Sequence, residues 1–186
     1  MASLAGQVGY VFQNPDDQIF KYKVIDEVMF GPLNIGMDKE KAKQRAMEAL
    51  ELTELAAYAE ENPYDLELSQ RKLVAIASVL AMDTDVIILD EPTAALDPIA
   101  EAEIYARFNE IAQDKTTIYI SHRLSSCRFC DEILVFDGGK IVQQGNHDSL
   151  IADVDGKYNR LWQAQAQYYE KEQEESASEE DAASHR

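Results

Sequence analysis

The 186-residue sequence predicts an α/β domain built on a mainly parallel sheet. Apolar runs of strand length alternate with stretches of helical periodicity along most of the chain. One run, Val86-Ile87-Ile88-Leu89, is apolar at every position, the pattern of a strand buried on both faces of a parallel sheet. The last two runs are joined by Asp137-Gly138-Gly139, a hairpin signal that closes the alternation.

The first strand is Val8–Phe12 (VGYVF), stopped by the polar loop Gln13-Asn14-Pro15-Asp16-Asp17. From Asp38, which can cap a first turn, Ala42, Ala46, Ala49, Leu50 and Leu52 recur at helical spacings among charges, predicting an amphipathic surface helix. A second helix runs from about Leu68 to Met82, with Leu73, Ile76, Ala77 and Leu80 in steps of three and four behind the basic pair Arg71-Lys72. The strand ending at Leu89 leads into Asp90-Glu91. A helix Ile99–Gln113, a strand Thr116–Ile120, a polar turn at Ser121-His122-Arg123 and a helix carrying Cys127 and Cys130 follow in order. The hairpin pairs Glu132–Phe136 with Lys140–Gln144, and the acidic, apolar-poor 170–186 reads as a disordered tail.

Composition narrows the function classes. With 17 Lys+Arg against 35 Asp+Glu the net charge is −18, which argues against holding nucleic acid through a basic patch. No apolar run reaches the ~18 residues of a membrane-spanning helix, and Met1–Gln7 lacks the features of a secretory signal, so the chain reads as cytosolic. The two cysteines form a lone CxxC without further ligands at zinc spacing, and read as plain buried or half-buried thiols on a helix.

Ligands of open parallel sheets sit beyond the carboxyl ends of the strands, and three polar groups stand there: Gln13, Asp90-Glu91 and His122. An aspartate at such an end can hold Mg²⁺ directly or through water, with Gln13 as a further oxygen donor. The adjacent Glu91 can accept a proton from attacking water, while Gln13 and His122 orient that water and sense a terminal phosphate. Taken singly, each has a structural reading too, a strand-end cap or a structural histidine.

Together these residues resemble the ATP-binding-cassette (ABC) transporter ATPases. Val86–Glu91 with Pro92-Thr93-Ala94-Ala95-Leu96-Asp97 (VIILDEPTAALD) is similar to the family's Walker B strand and D-loop, Gln13 to its Q-loop glutamine and His122 to its switch histidine. The resemblance covers 1–169 as a partial ABC ATPase domain, a P-loop NTPase core. Its parts are a Q-loop region at 8–37, an inserted helical subdomain at 38–82, Walker B and D-loop at 86–98 and the switch-histidine region at 116–123. It implies ATP and Mg²⁺ as ligands. Asp90 would position the metal, Glu91 polarise the attacking water, His122 contact the γ-phosphate, and Asp97 face a second ATPase subunit across an ATP-sandwich dimer.

Two departures qualify this. No GxxxxGK[ST] occurs, so the loop whose backbone N–H groups and Lys cradle the β- and γ-phosphates is missing, and the expectation is a domain truncated at its N-terminus. The signature motif, Leu-Ser-Gly-Gly-Gln in the family, aligns without gaps to Leu66-Glu67-Leu68-Ser69-Gln70, which puts the acid Glu67 where the phosphate-binding serine belongs. A two-residue deletion that keeps Leu68-Ser69-Gln70 is the alternative; either way Ser69 and Gln70 are the candidate signature residues.

Val11–Met37 resembles energy-coupling-factor and cobalt-type importer ATPases, whereas Ile118–Phe136 and Ile141–Leu150 resemble multidrug-type exporters. A recombinant or cloned junction within Leu89–Pro98 and a subfamily blending both patterns account for this equally. The function implied is an ATP-binding subunit, peripheral on the cytoplasmic face of the membrane, working with permease subunits and a second ATPase. With the phosphate loop missing, the chain alone is expected to be defective in ATP hydrolysis. The alternative is a non-hydrolysing module that pairs with an intact ABC ATPase.

Overall fold

The computed structural model describes residues 6–97, 100–101, 104 and 115–167. The predicted helix Ile99–Gln113 and the acidic tail 170–186 fall wholly or largely outside the described residues. The chain divides into two compact units, Met1–Ile120 and Ser121–Arg186.

The first unit holds a three-stranded parallel sheet in the order β1 (Val8–Val11), β2 (Val86–Asp90), β3 (Thr116–Ile120). Val11 pairs with Leu89, and Asp90 with Ile120, so all three strands end together. One sheet face packs on α3 (Leu68–Leu80), whose Val74, Ile76, Ala77 and Val79 are buried with Val11, Ile87 and Leu89 in one core. β1 approaches α3 so closely that a Cβ at Gly9 would lie 2.2 Å from Val79 Cγ1, which leaves glycine as the residue that fits. On the other face Tyr10, Phe12, Ile118 and Ile120 are exposed. This corrects the expectation that β2 is buried on both sides, since Val86, Ile88 and Asp90 on that face are half-buried.

Between β1 and β2 lie α1 (Val24–Asn34), α2 (Lys39–Leu52) and α3, in mutual contact. The Asp38 carboxylate caps α2 by accepting from Lys41 N at 3.0 Å, as predicted. Ala42, Ala46 and Ala49 with Leu50 form its buried stripe, the small side chains letting the helix lie close. Leu52, predicted inside, is exposed, because the helix ends there and Glu54 turns the chain at φ 57°. α1 is not among the elements read in the sequence; its Pro32 lies in the last turn, where it removes one helical hydrogen bond.

Glu27 of α1 is buried, and its Oε2 accepts from Phe20 N at 2.9 Å and Lys21 N at 2.8 Å. Replacing Glu27 by Ala leaves both amides without that acceptor, and we expect a loss of about 2 kcal/mol, with Glu27→Gln losing about half as much. Urea denaturation of the three proteins measures it, and equal midpoints would refute it.

In the second unit β4 (Ile133–Asp137) and β5 (Lys140–Gly145) form the predicted antiparallel hairpin, with Gly138 and Gly139 both at positive φ (54° and 75°) as a tight primed turn requires. The segment with the cysteines is not an α-helix: Leu124–Phe129 is 3-10, and Cys130 is its C-cap. α4 (His147–Ala152) is capped by the Asn146 side chain, and α5 covers 157–167. Leu124, Ile133, Val135, Leu150 and Tyr158 make the core of this unit.

Candidate nucleotide site

The parallel register sets the site. Because Val11 stands opposite Leu89, the loop that starts at Gln13 and the pair Asp90-Glu91 leave the sheet at the same end. Gln13 is exposed, and its carbonyl accepts from the buried Lys72 Nζ of α3 at 3.2 Å. Arg71, the other half of the basic pair, lies 3.4 Å from Asp16 through its Nε and donates to Leu66 O at 3.0 Å. Both cations therefore tether the loop after β1.

Gln18, absent from the candidates read in the sequence, is the main fastener of that loop. Its amide nitrogen donates to Ala75 O and Ser78 Oγ, both at 3.0 Å, and its oxygen accepts from Phe12 N at 3.2 Å. Nothing in local spacing points to it, because the partners of its amide nitrogen lie 57 and 60 residues away.

Asp90 shares a sheet face with Tyr10, and the Tyr10 phenol donates to Asp90 Oδ2 at 2.7 Å. That bond to a carboxylate holds the Tyr10 phenol above its ordinary pKa. Strand parity was the available signal, since Tyr10 pairs with Ile88 and Asp90 is two residues further along the same face. Glu91 has a left-handed backbone (φ 46°), costly for a residue with a Cβ, and its N–H donates to Ile120 O at 2.9 Å. Two turns follow, Ala94 N to Glu91 O at 2.9 Å and Leu96 N to Thr93 O at 3.2 Å. Asp97 Oδ1 accepts from Ala100 N at 3.0 Å, a helix-capping bond.

Among the described residues no three His, Cys, Asp or Glu side chains gather as a metal cage. Mg²⁺ used with nucleotides needs only one or two carboxylates, waters and phosphate oxygens, and Asp90 at the strand end fits as one such carboxylate. A phosphate cradle of the GxxxxGK[ST] kind has no counterpart in the 186 residues.

At the start of α3, Gln70 Oε1 accepts from Glu67 N at 3.1 Å, so the candidate signature segment is a capped helix N-terminus, with Glu67 exposed and Ser69 and Gln70 half-buried. In the second unit His122 is exposed, and the Gln165 amide of α5 clamps its turn, donating to His122 O and accepting from Leu124 N at 3.0 Å. A groove of about 340 Å³ lies beside β1, α1 and α3, rimmed by Phe20, Phe30 and Met82. Phe20 and Phe30 meet edge to face at 4.6 Å with Lys21 Nζ over both rings.

The ABC transporter family model matches residues 1–94. The chain is 41% identical over 150 residues to the energy-coupling factor transporter ATP-binding protein EcfA of Methanocaldococcus jannaschii, covering 80% of this chain and 54% of that protein. It is 41% identical over 155 residues to EcfA2 of Bacillus subtilis, covering 81% and 56%. The chain thus spans about half the length of the curated relatives it matches. Among solved structures, cbiO1 from Clostridium perfringens, part of the ABC transporter complex cbiONQ, superposes with TM-score 0.76 at 34% identity over 81% of this chain and 61% of that one. A bacterial Atm1-family ABC exporter with ATP bound gives 0.71 at 28% identity over 88% and 29%. With half the chain matched by the family model, and with a parallel sheet that ends in the DEP motif beside the Gln13 loop, this chain belongs to the ABC transporter ATP-binding family.

Proposed function

We propose that the chain supplies the ATP-binding portion of an importer of the energy-coupling-factor type, peripheral on the cytoplasmic face of the membrane, working with permease subunits and a second ABC ATPase. The observation that carries this reading is the shared end of β1 and β2, which delivers the Gln13 loop and Asp90-Glu91 to one place. In this reading Asp90 and Gln13 hold Mg²⁺, Glu91 and His122 serve water and the terminal phosphate, and Ser69, Gln70 and Asp97 face the second ATPase. The similarity to EcfA proteins supports the importer assignment.

The aromatic rim at Phe20 and Phe30 is the surface for the permease, because exposed rings beside an apolar groove make anchors for a partner helix. Replacing Phe20 by Ala and Lys21 by Glu together is expected to weaken capture by a permease of this type at least ~10-fold, about 1.4 kcal/mol. Co-purification with permease and an intact ATPase subunit measures it; unchanged capture, or capture of ribosomal RNA in its place, would overturn the assignment. The alternative reading is a non-hydrolysing module that occupies an intact ATPase. ATP turnover at one site per assembled pair would favour that module, and turnover at two sites the subunit.

A further inference from the structure

The two cysteines of the chain stand outside the nucleotide site and have no part in the reading above. Neither is in a disulfide, both are half-buried, and both pack against the same core group of Leu124, Ile133, Val135 and Tyr158. They span one 3-10 turn, closed by the Cys130 N–H donating to Cys127 O at 3.1 Å. A turn closed in this way holds its end Cα atoms less than ~7 Å apart, and disulfides bridge Cα atoms at ~4.4–6.8 Å. At 3.0 residues per turn, positions three apart lie on one side of the helix, whereas an α-helix would offset them by about 60°. We propose that Cys127 and Cys130 close an intramolecular disulfide when the folded chain meets a small-molecule disulfide such as oxidised glutathione.

The exchange balances without any other reactant. The Cys127 thiolate attacks one sulfur of oxidised glutathione, forming a mixed disulfide and releasing one glutathione thiolate. The Cys130 thiolate then attacks the Cys127 sulfur, expelling the second glutathione; the chain loses two electrons and two protons, and the small disulfide is reduced to two thiols. Cys130 is the resolving partner because burial, then the neighbouring Cys127 and Asp131, push its thiol up to about 11, leaving little thiolate for the first attack. Closure also reaches the His122 turn. Cys127 Sγ and Ser126 Oγ both donate to the carbonyl of Arg123, the residue after His122, and oxidation removes the sulfur's proton from that pair.

The test is incubation of the reduced full chain with oxidised glutathione, followed by intact-mass measurement under native and urea-unfolded conditions. With two cysteines in the chain, the products are unambiguous. The expected product is a monomer lighter by two hydrogens with no glutathione retained, formed at least ~10-fold faster folded than unfolded, since the turn raises the effective concentration of the second thiol. Cys127→Ser and Cys130→Ser chains should show no such loss, any exchange on them stopping at the glutathione adduct. A stable adduct on the unaltered chain, a disulfide-linked dimer, or closure that is no faster folded than unfolded would each overturn the proposal.

Discussion

Titrated with MgATP in a calorimeter, the chain alone should show no dissociation constant near or below ~10 μM, the affinity that roughly 7 kcal/mol of binding would give. Affinity for a triphosphate in this kind of site comes chiefly from a run of backbone N–H groups and a lysine around the β- and γ-phosphates, and no GxxxxGK[ST] is present to supply them. The basic pair of α3 is already engaged, Lys72 with the Gln13 carbonyl and Arg71 with Asp16 and Leu66. In the proposed site the nucleotide would meet the carboxylates Asp90 and Glu91, which repel phosphate unless Mg²⁺ lies between. A net charge of −18 adds long-range repulsion that grows as salt is removed. Binding at low micromolar concentration would mean that some other segment of this chain cradles phosphate.

The ends of the strands were legible in the sequence because hydrophobic runs and breakers are local properties. Val86–Leu89 followed by two acids located β2 and its carboxyl end, and Asp137-Gly138-Gly139 located the hairpin turn. What could not be read was whether a face would be covered, since that depends on what lies across from it: Ile88, as apolar as Ile87, is only half-buried. Helix α1 was missed; the cost of its Gly31 and Pro32 depends on position within the helix. The same limit explains the missed polar residues. Glu27 and Gln165 act on backbone groups, as Gln18 does apart from its bond to Ser78 Oγ, and amide and carbonyl partners carry no side-chain signature in a sequence. Tyr10 alone was within reach, through parity with Asp90 along the sheet.

Substituting Glu67 by Ser and Leu68 by Gly is expected to strengthen ATP-dependent pairing of this chain with a hydrolysis-blocked intact ABC ATPase about 10- to 100-fold. In the gapless alignment Glu67 stands where the family's phosphate-binding serine belongs, and a carboxylate a few ångströms from a γ-phosphate in a partly desolvated cleft costs on the order of 1–3 kcal/mol. The local geometry separates this effect from one on folding. Glu67 is the N-cap of α3, and serine is among the best residues for that position, so the substitution keeps a cap. The Glu67 backbone N–H keeps its bond to Gln70 Oε1 as well, since the acceptor is on a residue left unchanged. Leu68 is half-buried, so Leu68→Gly alone should lower stability by about 1–2 kcal/mol, and that variant serves as the control. Pairing is read by ATP-dependent co-elution, stability by urea denaturation. Tighter pairing with stability reduced no more than in the control identifies Glu67 as the acid facing the phosphate. Unchanged pairing would place Glu67 away from the phosphate and assign the serine's role to Ser69, as the shifted alignment has it.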